Sequence, residues 1–481
     1  MTCFALAISL SVIITFSVVA ASSYMGEESI TYAQEQPPEN NSMKAPIKHV
    51  IVVIQGGRSF DHYFGTYPQA NGFPEGLKMP SNPFENNNSR HIVPYRLEST
   101  KTASPLVGER YDKIAYNNGA MDAFVFVNEL FGYAWDTVMG YYDFRDLPYY
   151  WNLASGYVLA DNFFSPTMKS GLTNYLHMYA GDNYGYDRSI IPKDGLEIPK
   201  TIFDELENKG IGWKTYVSNY DPNINYTNNM VRTKKVSDAQ VIRNPLLAIP
   251  RFVDDKALNS HIVGLSQFFD DLKGNNFPNV AYIVAPGLNE QAPSDVKRGQ
   301  EFVTSLVFAL MKSNYWKDSA FIITYANSGG WYDHVPPPQT EKGNSSRDYG
   351  FRVPTLIISP YSKEGYVDST LYDSTSILKF IEYLFGLPHL TYNDENANNL
   401  LNAFEFEKPP REPFIPPMVY TQDSSSQSTN PSDYYRSTGS AKLIYVSVFA
   451  GILLIGITAY LFNRSRNNSR QSVLIRNNGD E

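Results

Sequence analysis

The chain of 481 residues is 42% hydrophobic and 19% charged, with 31 proline and 31 glycine, a composition that excludes disordered, collagenous and low-complexity proteins and requires a packed core. Forty Lys and Arg against 49 Asp and Glu give a formal net charge of -9, which argues against an electrostatic grip on phosphate backbones and so against a nucleic-acid partner. The one cysteine, Cys3, can form neither an intrachain disulfide nor a cysteine-based metal site.

At the N-terminus, the run from Phe4 to Ala21 is apolar apart from small hydroxyl residues, and small residues continue through Ser22 and Ser23. Residues 1–33 therefore read as a signal peptide or an N-terminal anchor, and the chain as an exported one. Residues 45–408 follow as one large body with no repeat of 20 to 50 residues. His49 to Gln55 is a β-branched run stopped by Gly56 and Gly57, the pattern of a strand buried on both faces. Thr201 with Asp204 predicts a helix over 202–208, closed by Gly210 before a strand over 213–218. Further strands are predicted over 280–284, 320–325 and 353–359, and helices over 300–312 and 376–385. Such alternation predicts an α/β sandwich, a central mostly parallel sheet with helices on both faces. In that class ligands sit beyond the carboxyl ends of strands, which directs attention to the residues after Gln55 and Tyr325.

Past the body, residues 409–441 combine Pro409, Pro410, Pro413, Pro416 and Pro417 with a Ser/Gln/Thr-rich run and read as an extended stalk. Leu443 to Phe462 carries no charge and has about the 20 residues that a helix needs to cross hydrocarbon, so a single C-terminal transmembrane helix is expected there. Arg464, Arg466, Arg470 and Arg476 follow it, which predicts a cytoplasmic tail over 463–481, an extracellular body and a cell-membrane location. Asn-x-Ser/Thr triplets at Asn87, Asn225 and Asn344 suit a glycosylated surface.

Ile47 to Thr66, reading Ile-Lys-His-Val-Ile-Val-Val-Ile-Gln-Gly-Gly-Arg-Ser-Phe-Asp-His-Tyr-Phe-Gly-Thr, resembles the opening signature of the phosphoesterase family of bacterial phospholipases C and acid phosphatases. Met139 to Tyr142, Asp146 to Pro148, Gly330 to Pro338 and Gly350 to Leu387 extend the likeness over nearly the whole body. The resemblance implies an alkaline-phosphatase-like sandwich, hydrolysis of phosphate esters, and a divalent metal with a hydroxyl nucleophile.

The site positions of that family are changed here. Where the family has Glu-Asn after its first strand, this chain has Gly56 and Gly57, and glycine offers no ligand atom. The Asp-Glu pair of the second strand end stands as Ala326 and Asn327, and the nucleophile's place is taken by Gly171, with Asn174 matching the asparagine after it. Three family histidines correspond to Gln291, Ser369 and Ser374. The resemblance thus implies no bound metal or other cofactor. It points to a catalytically silent binding relative, a pseudoenzyme whose cleft takes a phosphorylated, glycan or protein ligand at the cell surface. The alternative is an active hydrolase with a shifted site, for which Ser170, Thr173, Asp333 and His334 are the candidates. The seven histidines form no cluster with Asp and Glu at recognisable ligand spacing.

Overall fold

The computed structural model describes residues 45–85, 89–169, 171–228, 239–286, 290–340 and 348–414. The leader, residues 415–481, Ser170, Asn87 and Asn344 lie outside the described residues. In chain order the elements that build the site are β1 (His49–Gln55), α1 (Phe60–Phe64), β2 (Val158–Ala160), α2 (Gly171–Ala180), α3 (Ile202–Asn208), β3 (Trp213–Val217) and α4 (Ala239–Arg243). They are followed by β4 (Ile262–Gly264), β5 (Val280–Val284), α5 (Val296–Met311), β6 (Ser319–Tyr325), β7 (Thr355–Ile358), β8 (Tyr366–Asp368), α6 (Ser374–Phe385) and α7 (Tyr392–Glu395).

The eight strands form one sheet in the order β8-β2-β7-β6-β1-β5-β3-β4. Seven run in one direction, and β7 runs against both of its neighbours, β6 and β2. The expected fold is corrected in one respect. The α/β class holds, but the central sheet is mixed. Among the described residues, no helix is long and apolar enough to cross a membrane, and residues 443–462 fall outside them.

β1 sits at the centre because its side chains are apolar on both faces. Val50, Ile51, Val52 and Val53 are all buried, and each contributes about 1.5–3 kcal/mol by leaving water. The helices begin where side chains can satisfy free backbone N–H groups. Thr201 and Asp204 form a reciprocal capping box at α3, as do Asp373 and Ser376 at α6. Asp295 caps α5 through the N–H of Lys297, so that helix starts four residues before the predicted position.

Two apolar cores result. The main one surrounds the sheet and includes Trp331 and Val353. A smaller one gathers Met79, Met121, Phe124, Val138 and Met139 with Tyr332 and Phe351. The body also runs beyond residue 408. Arg411 donates to the carbonyls of Gly156 and Ser362, and the N–H of Phe414 donates to the Tyr157 hydroxyl at 2.8 Å, so the first residues of the expected stalk pack on the body.

Candidate functional site

Parallel pairing of β1 with β6 sets Gln55 beside Tyr325, and the two chains stay together past the sheet edge. Ala326 N–H donates to the Gln55 carbonyl at 3.2 Å, and Arg58 N–H to the Asn327 carbonyl at 3.0 Å. Gly56, Gly57, Ala326 and Asn327 therefore meet at one strand end, termed the cleft for its position in the fold. Gln291 joins them: a Cβ on Gly56 would lie 2.6 Å from the Cβ of Gln291. Arg243, at the end of α4, donates through Nη2 to Gln291 Oε1 at 3.2 Å and through Nη1 to the Pro286 carbonyl at 3.1 Å. Gly171 opens α2 beside the same helix, with Ile242 Cγ2 4.0 Å from where its Cβ would stand.

Four positions fall elsewhere. Asn174 is buried and turned toward Thr167, accepting from its N–H at 3.1 Å and from its hydroxyl at 2.8 Å, so it holds the approach to α2. Ser369 is exposed and receives the Asn162 side chain on its carbonyl at 3.1 Å. Ser374 begins α6, buried, its hydroxyl without a hydrogen-bond partner. Thr173 is buried and its hydroxyl donates to the Tyr186 carbonyl at 2.9 Å.

Asp333 and His334 belong to a buried ion-pair cluster. Arg352, fully buried, donates through Nε to Asp333 Oδ1 at 2.8 Å and through Nη2 to Asp61 Oδ1 at 3.0 Å. Its Nη1 reaches the carbonyls of Asn71 and Asp161 at 2.9 and 2.7 Å. Asp61 Oδ2 accepts from the N–H of His334 and from its Nδ1, both at 2.7 Å. Burial pushes the Asp333 carboxyl above the usual range while the Arg352 charge opposes it. These groups tie Asp61 in α1 to the segment between β6 and β7 and, through Arg352, to the Asn71 and Asp161 carbonyls.

A second buried network backs the cleft. Glu290 Oε1 accepts from the Tyr325 hydroxyl at 2.7 Å and Oε2 from that of Tyr150 at 3.0 Å, and burial raises its pKa. Arg58 donates to the Glu290 carbonyl and, at 3.0 Å, to His62 Nε2, while His62 Nδ1 donates to the Gly140 carbonyl at 2.7 Å. Burial, aided by the Arg58 charge, holds the His62 pKa well below its ordinary value, so this imidazole is neutral and stacks on Trp331 at 3.7 Å between centroids.

The metal expected of the resembling family does not fit this cleft. Gly56, Gly57 and Ala326 present no side-chain oxygen, and the Oδ1 of Asn327 already accepts from the N–H of Gly329 at 2.9 Å. The room for ligands is filled as well, since a Cβ on Gly57 would stand 2.5 Å from Gly329 Cα and 2.7 Å from its nitrogen. Among the described residues, folding does bring acid and imidazole groups together in two places that spacing did not reveal. Asp61, Asp333 and His334 form one; Glu382, His389 and Asp394 form the other. Neither includes a cleft residue. Arg243 was also missed, because it lies in a five-residue helix outside every motif.

Fold and strand connections define an α/β protein with a mixed central sheet whose two central strands end side by side. The phosphoesterase family profile matches residues 47–388, and the chain belongs to the phosphoesterase family. It is similar to phospholipase C A of Mycobacterium tuberculosis, 27% identical over 419 residues that span 76% of this chain and 78% of that protein. It is also similar to the non-hemolytic phospholipase C of Pseudomonas aeruginosa, at 26% identity over 76% of this chain and 58% of the relative. Among solved structures, the phosphonate monoester hydrolase of Agrobacterium radiobacter superposes with a TM-score of 0.37 and 10% identity over 75% of this chain and 78% of that one.

Proposed function

We propose that this phosphoesterase-family protein is catalytically silent and uses its strand-end cleft to bind a phosphorylated ligand. The observation that carries this reading is the packing at Gly56 and Gly57: Gln291 and Gly329 fill the space in which metal-binding side chains would stand. Without a cation at that place, neither activation of an attacking oxygen nor neutralisation of phosphoryl charge is supplied there. Gly171 brings no hydroxyl, and the Thr173 hydroxyl is committed to a carbonyl. Arg243 places a guanidinium at the same edge, and a guanidinium matches paired phosphate oxygens in charge and geometry. Similarity to phospholipases C favours a lipid-type phosphodiester or its headgroup within that class.

The test is to incubate the purified chain with p-nitrophenyl phosphorylcholine, with and without added divalent cations, and to titrate phosphocholine by calorimetry. Nitrophenol release should equal the buffer control, and phosphocholine should bind saturably. Arg243→Gln should weaken binding about tenfold, the loss of one charge-assisted hydrogen bond. Turnover that disappears in Ser170→Ala or Thr173→Val would instead establish a shifted-site hydrolase.

A further inference from the structure

Glu382 lies in the last turn of α6, His389 in the connection beyond Gly386, and Asp394 in α7. One ligand-type atom from each lies within 4.8 Å of the other two. His389 Nδ1 stands 2.6 Å from Glu382 Oε2 and 3.8 Å from Asp394 Oδ2. Glu382 and Asp394 are 1% and 0% exposed, whereas the His389 side chain is 43% exposed and opens the cluster to solvent.

Capping accounts for Asp394, which accepts from the N–H groups of Leu390 and Thr391 at 2.7 and 2.9 Å. It does not account for Glu382. The Oε1 of that carboxyl is buried with no hydrogen-bond partner, on the same group that faces His389. It sits where the free carbonyls of α6 make the surroundings negative. The nearest ammonium, Lys379 Nζ, is spent on the carbonyls of Glu395 and Ala397, both at 2.8 Å. Burial, and after it the neighbouring Asp394 charge, pushes the Glu382 carboxyl up to about 10, so it stands as the neutral acid, and a divalent cation at this place would take over the role of that proton.

We infer that Glu382, His389 and Asp394 bind a divalent ion of the zinc type. One imidazole and two carboxylates are a donor set that zinc accepts in tetrahedral geometry, leaving a position for water on the open side of His389. On binding, the metal takes His389 Nδ1 while the ring keeps its hydrogen on Nε2, and the proton of the Glu382 carboxyl passes to solvent. The site is separate from the strand-end cleft. Asp394 packs on Gly181, which closes α2, and Gly171 lies at the other end of that ten-residue helix, roughly 15 Å away. Its effect is to fasten α7 to the end of α6.

The full chain, freed of metal with a chelator, should take up one equivalent of zinc by calorimetry, and its melting temperature should rise. His389→Ala, at a half-exposed position, should weaken uptake by about tenfold or more, and Glu382→Gln should do the same. Cobalt(II) should give an absorption band that both variants lose. Absence of saturable uptake by the unmodified chain, or uptake unchanged in both variants, overturns the inference. Uptake lost in Gln291→Ala and kept in His389→Ala would put the metal in the cleft, overturning this inference and the silent reading together. Failure of zinc uptake alone leaves the silent reading standing.

Discussion

Arg352→Met is expected to lower stability by about 3–5 kcal/mol at neutral pH, the largest loss for any single change in this cleft region. The guanidinium is fully buried, it neutralises Asp61 and Asp333, and it also satisfies two carbonyls. Methionine replaces the volume and leaves two carboxylates out of water with no counter-charge. The deficit should depend on pH in a defined sense. Without the arginine, the Asp333 carboxyl, already raised by burial, rises further above the unfolded value of about 4. Stability is then fullest below that value and is lost as pH rises through the folded pKa. Denaturant unfolding at pH 5 and pH 8 should therefore show a smaller gap from the unmodified chain at pH 5. Adding Asp61→Asn and Asp333→Asn should recover part of the loss at pH 8. Equal unfolding midpoints for Arg352→Met and the unmodified chain would mean that the cluster is not the structural tie described.

Putting Glu at position 56, Asn at 57, Asp at 326 and Glu at 327 should fail to build a metalloenzyme. The physical obstacle is at Gly57, where a new Cβ would meet, besides the Asn327 side chain, the Gly329 backbone, which cannot rotate away. Overpacking of this kind costs typically about 1–3 kcal/mol, and here the backbone itself must move. The swapped chain should melt well below the unmodified one and take up no metal in the cleft. Gly171→Ser is the counterpart: its Cβ has only Ile242 at 4.0 Å, so stability should change by no more than about 0.5 kcal/mol. A four-residue variant that keeps the original melting temperature and gains one cleft-bound metal ion would refute the account of a closed site.

The central elements were readable because each carries a local signal. β1 is β-branched on both faces, and α3 and α6 announce their starts through capping residues. The short strands β2, β4 and β8, of three residues each, carry too little pattern to stand out. Strand direction was not legible either, and β7 runs opposite to what βα alternation suggests. At the cleft, the glycine substitutions told that ligand atoms were absent. They did not tell that Gln291 and Gly329 stand where added side chains would go, which depends on tertiary packing. His389 gave no metal signal because Glu382, His389 and Asp394 straddle two helix ends, where neither helical nor strand spacing applies.

The reversed direction of β7 has a topological outcome. Because β6 leaves the sheet and β7 re-enters at the same end, the chain between them is a closed excursion whose two feet are hydrogen-bonded neighbours, with Ile323 opposite Leu356. Trp331 and Tyr332 are adjacent on it yet lie in different cores, as Val353 and Phe351 do on the returning limb. The excursion thus rivets the two cores together at both limbs. Amides around Trp331 and Phe351 should exchange with solvent only when the β6 and β7 amides do, as one cooperative unit and not as a mobile lid.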